Sequence, residues 1–105
     1  MEIGKLIEEV HENAVKKGFW EDYTNALPEL NNVYISQFLM LLVSEVAEAQ
    51  EGLRHNDYEN FEEELADVAI RLFDLCGGLG IDLENEIEKK MIKNASRPYL
   101  HGKTF

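Results

Sequence analysis

Two short stretches of this chain carry carboxylates at a spacing that can do chemistry. Ser44-Glu45-Val46-Ala47-Glu48 and Glu63-Glu64-Leu65-Ala66-Asp67 each place two acids three residues apart. On a helix that spacing stacks both side chains on one face, one turn from each other. The apolar run Phe38 to Val43 leads into the first stretch, and Val68 to Phe73 follows the second. A carboxylate in such surroundings must be paired, neutralised or bound to a metal, because burying it bare is expensive. Glu45, Glu48, Glu64 and Asp67 facing one another across two helices would offer four oxygen donors, the ligand type of Mg2+ or Mn2+. Four carboxylates so close repel, and their pKa values rise unless a cation is present. A bound ion would lower the pKa of its water and neutralise charge on a phosphate leaving group.

Each pair also has a plainer reading. Glu48 would sit with Glu51 on the surface at a helix end, and Asp67 would pair with Arg71 at i+4. Two such pairs on consecutive helices make that coincidence the weaker explanation.

A second feature is the segregation of charge. From Lys89 to Phe105 there is no Asp or Glu, yet Lys89, Lys90, Lys93, Arg97 and Lys103 make up half of the ten Lys and Arg. Lys90, Asn94 and Arg97 fall on one helical face and are candidates to grip phosphates. Cations near a helix C-terminus also complement its dipole, which is the simpler use of Lys93. Trp20, with Phe19 and Tyr23, offers a ring on which a nucleotide base would stack. Core packing is the commoner use of such an aromatic cluster. Gly102-Lys103-Thr104 imitates the end of a phosphate-binding loop, but Arg97 stands where the first glycine should be. Glu8-x-x-His11 resembles half of a di-iron motif. The central pairs have no His at i+3, which argues against a ferritin-like oxidase.

The elements that must position these residues read as helices. From Glu2 to about Lys17, apolar residues at Ile3, Leu6, Ile7, Val10, Ala14 and Val15 keep helical spacing, and Gly18 ends the run. Pro28 and Asn31-Asn32 mark a loop before a second helix from about Val33 to Leu53. Asp57 caps a third, running to about Gly77, where Gly77-Gly78-Leu79-Gly80 ends it. Asp82 caps a fourth from Leu83 to about Asn94, with Ile87, Met91 and Ile92 turned inward, and Pro98 forbids its continuation. No segment alternates cleanly enough for a strand. The fold class is all-α: a four-helix bundle-like protomer. The second and third helices are apolar around more than half of their circumference, which predicts a second buried face and hence a dimer or higher oligomer.

Bulk composition sets the frame. A chain of 105 residues, 45% hydrophobic and 30% charged, makes one globular domain, 1–105. A net charge of −11 disfavours nucleic acid and anionic membranes as partners. The lone Cys76 excludes an intramolecular disulfide and a cysteine zinc site, and reads as a core residue. Met1-Glu2-Ile3-Gly4-Lys5 is not a signal peptide, and Phe38 to Val43 is far too short an apolar run to span a bilayer. The expected compartment is the cytoplasm.

Taken together, Glu45-Val-Ala-Glu48, Glu64-Leu-Ala-Asp67 and the tail from Lys90 to Lys103 resemble the MazG-like family of all-α nucleoside triphosphate pyrophosphohydrolases. The resemblance covers Val33 to Lys103, and the first helix loosely. Ser44 stands where many members carry another Glu. The resemblance implies Mg2+-dependent cleavage of a nucleoside triphosphate between the α and β phosphorus atoms, giving the monophosphate and pyrophosphate. By position it implies metal ligation by Glu45, Glu48, Glu64 and Asp67, and phosphate contacts from Lys90, Asn94 and Arg97. A metal-activated water would attack, with Glu45 or Glu48 accepting its proton. Two alternatives are a phosphoribosyl-ATP pyrophosphohydrolase of the same superfamily and a non-catalytic helical interaction module.

Overall fold

The computed structural model describes residues 2–99, and among them every regular element is helical. The α-helices are α1 (Ile3–Lys16), α2 (Glu21–Asn25), α3 (Asn31–Arg54), α4 (Tyr58–Leu79) and α5 (Leu83–Ala95), with a 3-10 turn at Pro28–Leu30. The four long helices are those expected. The short α2 carries no periodic signal of its own and directly follows the buried Trp20. Leu100 to Lys103, the end of the tail motif, lie outside the described residues.

Local chemistry sets the helix ends. Gly18 takes φ +85° after α1, a conformation that suits a residue without Cβ. Asp57 and Asp82 accept hydrogen bonds from the backbone N–H groups of Asn60 (3.0 Å) and Asn85 (3.1 Å), capping α4 and α5. The turn between α3 and α4 is tight: Asp57 N donates to Gly52 O at 2.8 Å. Gly80, not Gly77, ends α4, with φ +68° and the Ile81 N–H donating to Cys76 O at 2.9 Å. Gly77 and Gly78 lie inside α4 because α1 and Trp20 come too close there for a side chain. A Cβ on Gly78 would stand 2.0 Å from Trp20 Cη2.

Packing runs in series. α3 lies along α4, α1 also packs on α4, and α5 rests on α1. Among the described residues the buried set is small: Ile7, Trp20, Ala49, Gly52, Leu75, Cys76 and the acid Asp74. Burial pushes the Cys76 thiol pKa upward, as befits a packed, unreactive cysteine. Ile87, Met91 and Ile92 of α5 are not turned inward as expected; they are 38%, 65% and 75% exposed. In one chain α5 meets little besides α1, so its apolar stripe has nothing to cover it.

The whole chain is open for its size. Its radius of gyration is 16.4 Å, against about 13 Å for a compact domain of this length. Its accessible surface is 8090 Å², where about 6,000 Å² is usual for a monomer of this mass. Much of the excess is apolar, including Leu39, Met40, Val43 and Val46 of α3 and Leu65 and Ile70 of α4. Over Pro28–Arg54 an 18-residue window reaches a mean hydropathy of 1.2, enough by length and composition for a bilayer span. The uncharged stretch 30–44 makes only about 23 Å of helix, short of the roughly 30 Å hydrocarbon core.

Candidate metal and nucleotide site

The α3–α4 hairpin brings the two acidic motifs together. Antiparallel pairing turns Glu45 and Glu48 of α3 toward Glu64 of α4. One oxygen from each of these three carboxylates lies within 4.8 Å of the others. Asp67, the fourth expected ligand, stands beside this group rather than in it. Its charge acts on Glu64, and it lines a neighbouring cavity with Glu45. Glu48 is exposed and opens the cluster to solvent, whereas Glu45 and Glu64 are half-buried.

Glu64 is the most perturbed acid. Its Oε2 is shut off from solvent and has no hydrogen-bond donor. Desolvation is the main cause that pushes its pKa to about 7; sharing of its proton with Glu45 and Glu48 and the charges of Glu48 and Asp67 add to it. The donor set fits a hard divalent cation: it is all oxygen and anionic, and it includes one buried oxygen that nothing else satisfies. A proton on Glu64 competes with such an ion, so metal affinity is expected to climb with pH and level off above about 7. Mn2+ titrations at about pH 5.5, 6.5, 7.5 and 8.5, on both sides of that pKa, check this. Affinity independent of pH would show that Glu64 is no ligand.

Arg71 is placed by the structure where the sequence left a choice. It does not pair with Asp67 along α4. Its Nε and Nη2 both donate to Glu45 Oε1 across the helix pair, each at 3.4 Å. The guanidinium lies 5.5 Å from the centre of the Phe19 ring. It lines a cavity of about 350 Å³ between α1, α3 and α4, together with Asn13, Phe19, Glu45, Asp67 and Asp74.

Asp74 was not singled out from the sequence. Its carboxylate is buried, and its Oδ1 accepts from Trp20 Nε1 at 2.8 Å and from His11 Nδ1 at 2.9 Å. The signal was there: an acid inside the apolar run Leu72 to Cys76, which must find donors. Trp20, expected to offer a face to a base, is only 5% exposed. One face stacks on Phe38 at 4.3 Å, and His11 and Tyr23 meet it edge-on. Within this chain it is a core residue that ties α1 to α4. Lys90, Asn94 and Arg97 are not brought to the acids by one chain. Lys90 lines a shallow hollow along α5 with Glu86, Lys89 and Lys93, and Arg97 is exposed. Asn94 is half-buried, with its Oδ1 lacking a partner.

A chain whose regular elements, among the described residues, are all helices, and whose central hairpin turns three carboxylates on a common point, is an all-α protein with a carboxylate site. It belongs to the MazG-like family, whose description matches residues 35–104 and so takes in both acidic motifs and α5. That family is of the nucleotide pyrophosphohydrolase type. No curated protein and no solved structure matches the chain.

Proposed function

We propose that this chain is a Mg2+-dependent nucleoside triphosphate pyrophosphohydrolase that works as a homodimer or homotetramer. The observation that carries the reading is the convergence of Glu45, Glu48 and Glu64 around an oxygen with no donor. Glu45, Glu48 and Glu64 would hold the ion, with Asp67 adding negative charge beside them. When bound, Mg2+ supplies charge neutralisation of the phosphates and lowers the pKa of a water molecule. Glu48, the exposed carboxylate of the three, would take the proton of the attacking water in this reading. The water oxygen bonds to phosphorus, the α–β anhydride breaks, and its electron pair leaves with pyrophosphate. Mn2+ can replace Mg2+ on the same oxygen donors.

The open shape supports self-association. The surface in excess of a compact monomer is on the order of 2,000 Å², the scale of a stable interface. The exposed apolar stripes of α3, α4 and α5 give it the right chemistry. Lys90, Asn94 and Arg97 remain phosphate contacts in this reading, delivered by assembly of copies rather than by one chain's fold. The test is a panel of ordinary and modified (d)NTPs with Mg2+ or Mn2+, read by pyrophosphate release and mass identification of the monophosphate, beside sedimentation of the same sample. Release from at least one triphosphate by an oligomer is expected. No release across the panel would reject the enzyme reading and leave a helical interaction module.

A further inference from the structure

The acidic site already contains a cation, and its position gives it a second task. Arg71 is the only Lys or Arg of α4 and the only one lining the cavity beside the cluster. Around it stand Glu45 at 3.4 Å and, on its own helix, Asp67 four residues before and Asp74 three residues after. Asp74 is already engaged through Oδ1 by Trp20 and His11. Glu45 therefore carries the direct contact, and it is a long one: two donors share a single oxygen at 3.4 Å, where a charge-assisted pair usually closes to about 2.7–2.9 Å. The Phe19 ring lies beside the guanidinium, and both side chains line the cavity.

We infer that Arg71 stands in for the metal on Glu45 and passes to a substrate phosphate when the ion arrives, a substrate-binding role for this side chain. The inference rests on the pyrophosphohydrolase reading and deepens it. A divalent ion on Glu45 repels the guanidinium, while a phosphate beside that ion attracts it. The exchange keeps every charge compensated: Glu45 passes from guanidinium to metal, and Arg71 passes from carboxylate to phosphate. A planar donor fork on an aromatic support is the group best suited to phosphate oxygens. It also meets the need of a chain with net charge −11 to accept a polyanion in an acidic cleft.

The two halves have opposite signs, which separates this role from simple packing. Arg71→Met, which keeps bulk and removes charge, is expected to tighten Mn2+ binding without nucleotide by roughly threefold or more. With Mn2+ saturating, it is expected to weaken binding of inorganic pyrophosphate roughly tenfold or more. Calorimetry on the full chain reads both, and neither measurement needs turnover. Should Arg71→Met fail to fold, Arg71→Lys carries the test: Mn2+ affinity stays at the wild-type value and pyrophosphate binding still falls. Weaker Mn2+ binding in Arg71→Met, altered Mn2+ binding in Arg71→Lys, or unchanged pyrophosphate binding in either overturns the inference. A wild type that binds Mn2+ but no pyrophosphate overturns it as well. Absence of (d)NTP turnover rejects the parent reading by a separate measurement.

Discussion

Glu64→Gln is expected to fold at least as well as the wild type without metal and to release almost no pyrophosphate. The amide keeps the shape of the glutamate and can donate to Glu45 and Glu48, as the protonated acid does. It would not supply the anionic oxygen that a divalent ion takes. Glu64's pKa is raised to about 7 in the folded chain from an ordinary value of 4.5. The folded state therefore holds the proton more tightly. The stability this gives is complete below about 4.5 and is lost as pH rises through about 7. In EDTA at pH 8 the wild type has lost that contribution, and Glu64→Gln has no such loss. Its thermal midpoint should equal or exceed the wild type's at pH 8, with a flatter dependence on pH. Its turnover should fall by more than about 100-fold, the upper figure for losing a metal's outer-shell partner. Thermal melts across pH, paired with pyrophosphate release, decide the matter. A variant that melts lower and still turns over would make Glu64 a structural acid.

The sequence carried the parts of this site that depend on one helix at a time. Glu45 and Glu48 share a face because of the helical repeat, and so do Glu64 and Asp67. Asp57 and Asp82 announced their helices by cap chemistry, and the structure keeps both caps. What stayed hidden depends on the register between helices. Arg71 had an i+4 partner in Asp67, and nothing local shows that Glu45 lies within reach instead. The register also decides that Glu45, Glu48 and Glu64 gather while Asp67 stands aside. Gly77 and Gly78 read as a helix terminator, because a close approach by His11 and Trp20 leaves no mark on neighbouring residues. The His11–Asp74–Trp20 cluster joins residues 63 and 54 positions apart. Ile87, Met91 and Ile92 were misplaced for another reason. Helical periodicity reveals that a stripe is apolar, not whether the same chain or another copy covers it.

The close approach at Gly78 yields the largest expected loss of stability. In Gly78→Ala the new methyl would lie 2.0 Å from Trp20 Cη2 and 2.2 Å from Cζ2, far inside van der Waals contact. Trp20 is held from several sides, although its ring also borders a cavity that Gly78 helps to line. Its Nε1 is held by Asp74, Phe38 covers one face, and His11 and Tyr23 abut its edges. Either α1 moves off α4 or the indole rotates and leaves the buried Asp74 short of a donor. Overpacking of this kind costs about 1–3 kcal/mol, and losing the Trp20 hydrogen bond to Asp74, which keeps His11, costs about 1.5 kcal/mol more. The midpoint should fall by more than about 10 °C. Gly4→Ala is the control: it sits in α1 with nothing within 4 Å of the added Cβ, so it should stabilise the helix by up to about 1 kcal/mol. Shortening the ring relieves the clash, so adding Trp20→Phe to Gly78→Ala should cost less than the two single losses summed. A midpoint for Gly78→Ala equal to wild type, or strict additivity in the double variant, would mean that Trp20 does not rest on Gly78. The seam that sets the distance between α1 and the acid-bearing hairpin would then lie elsewhere.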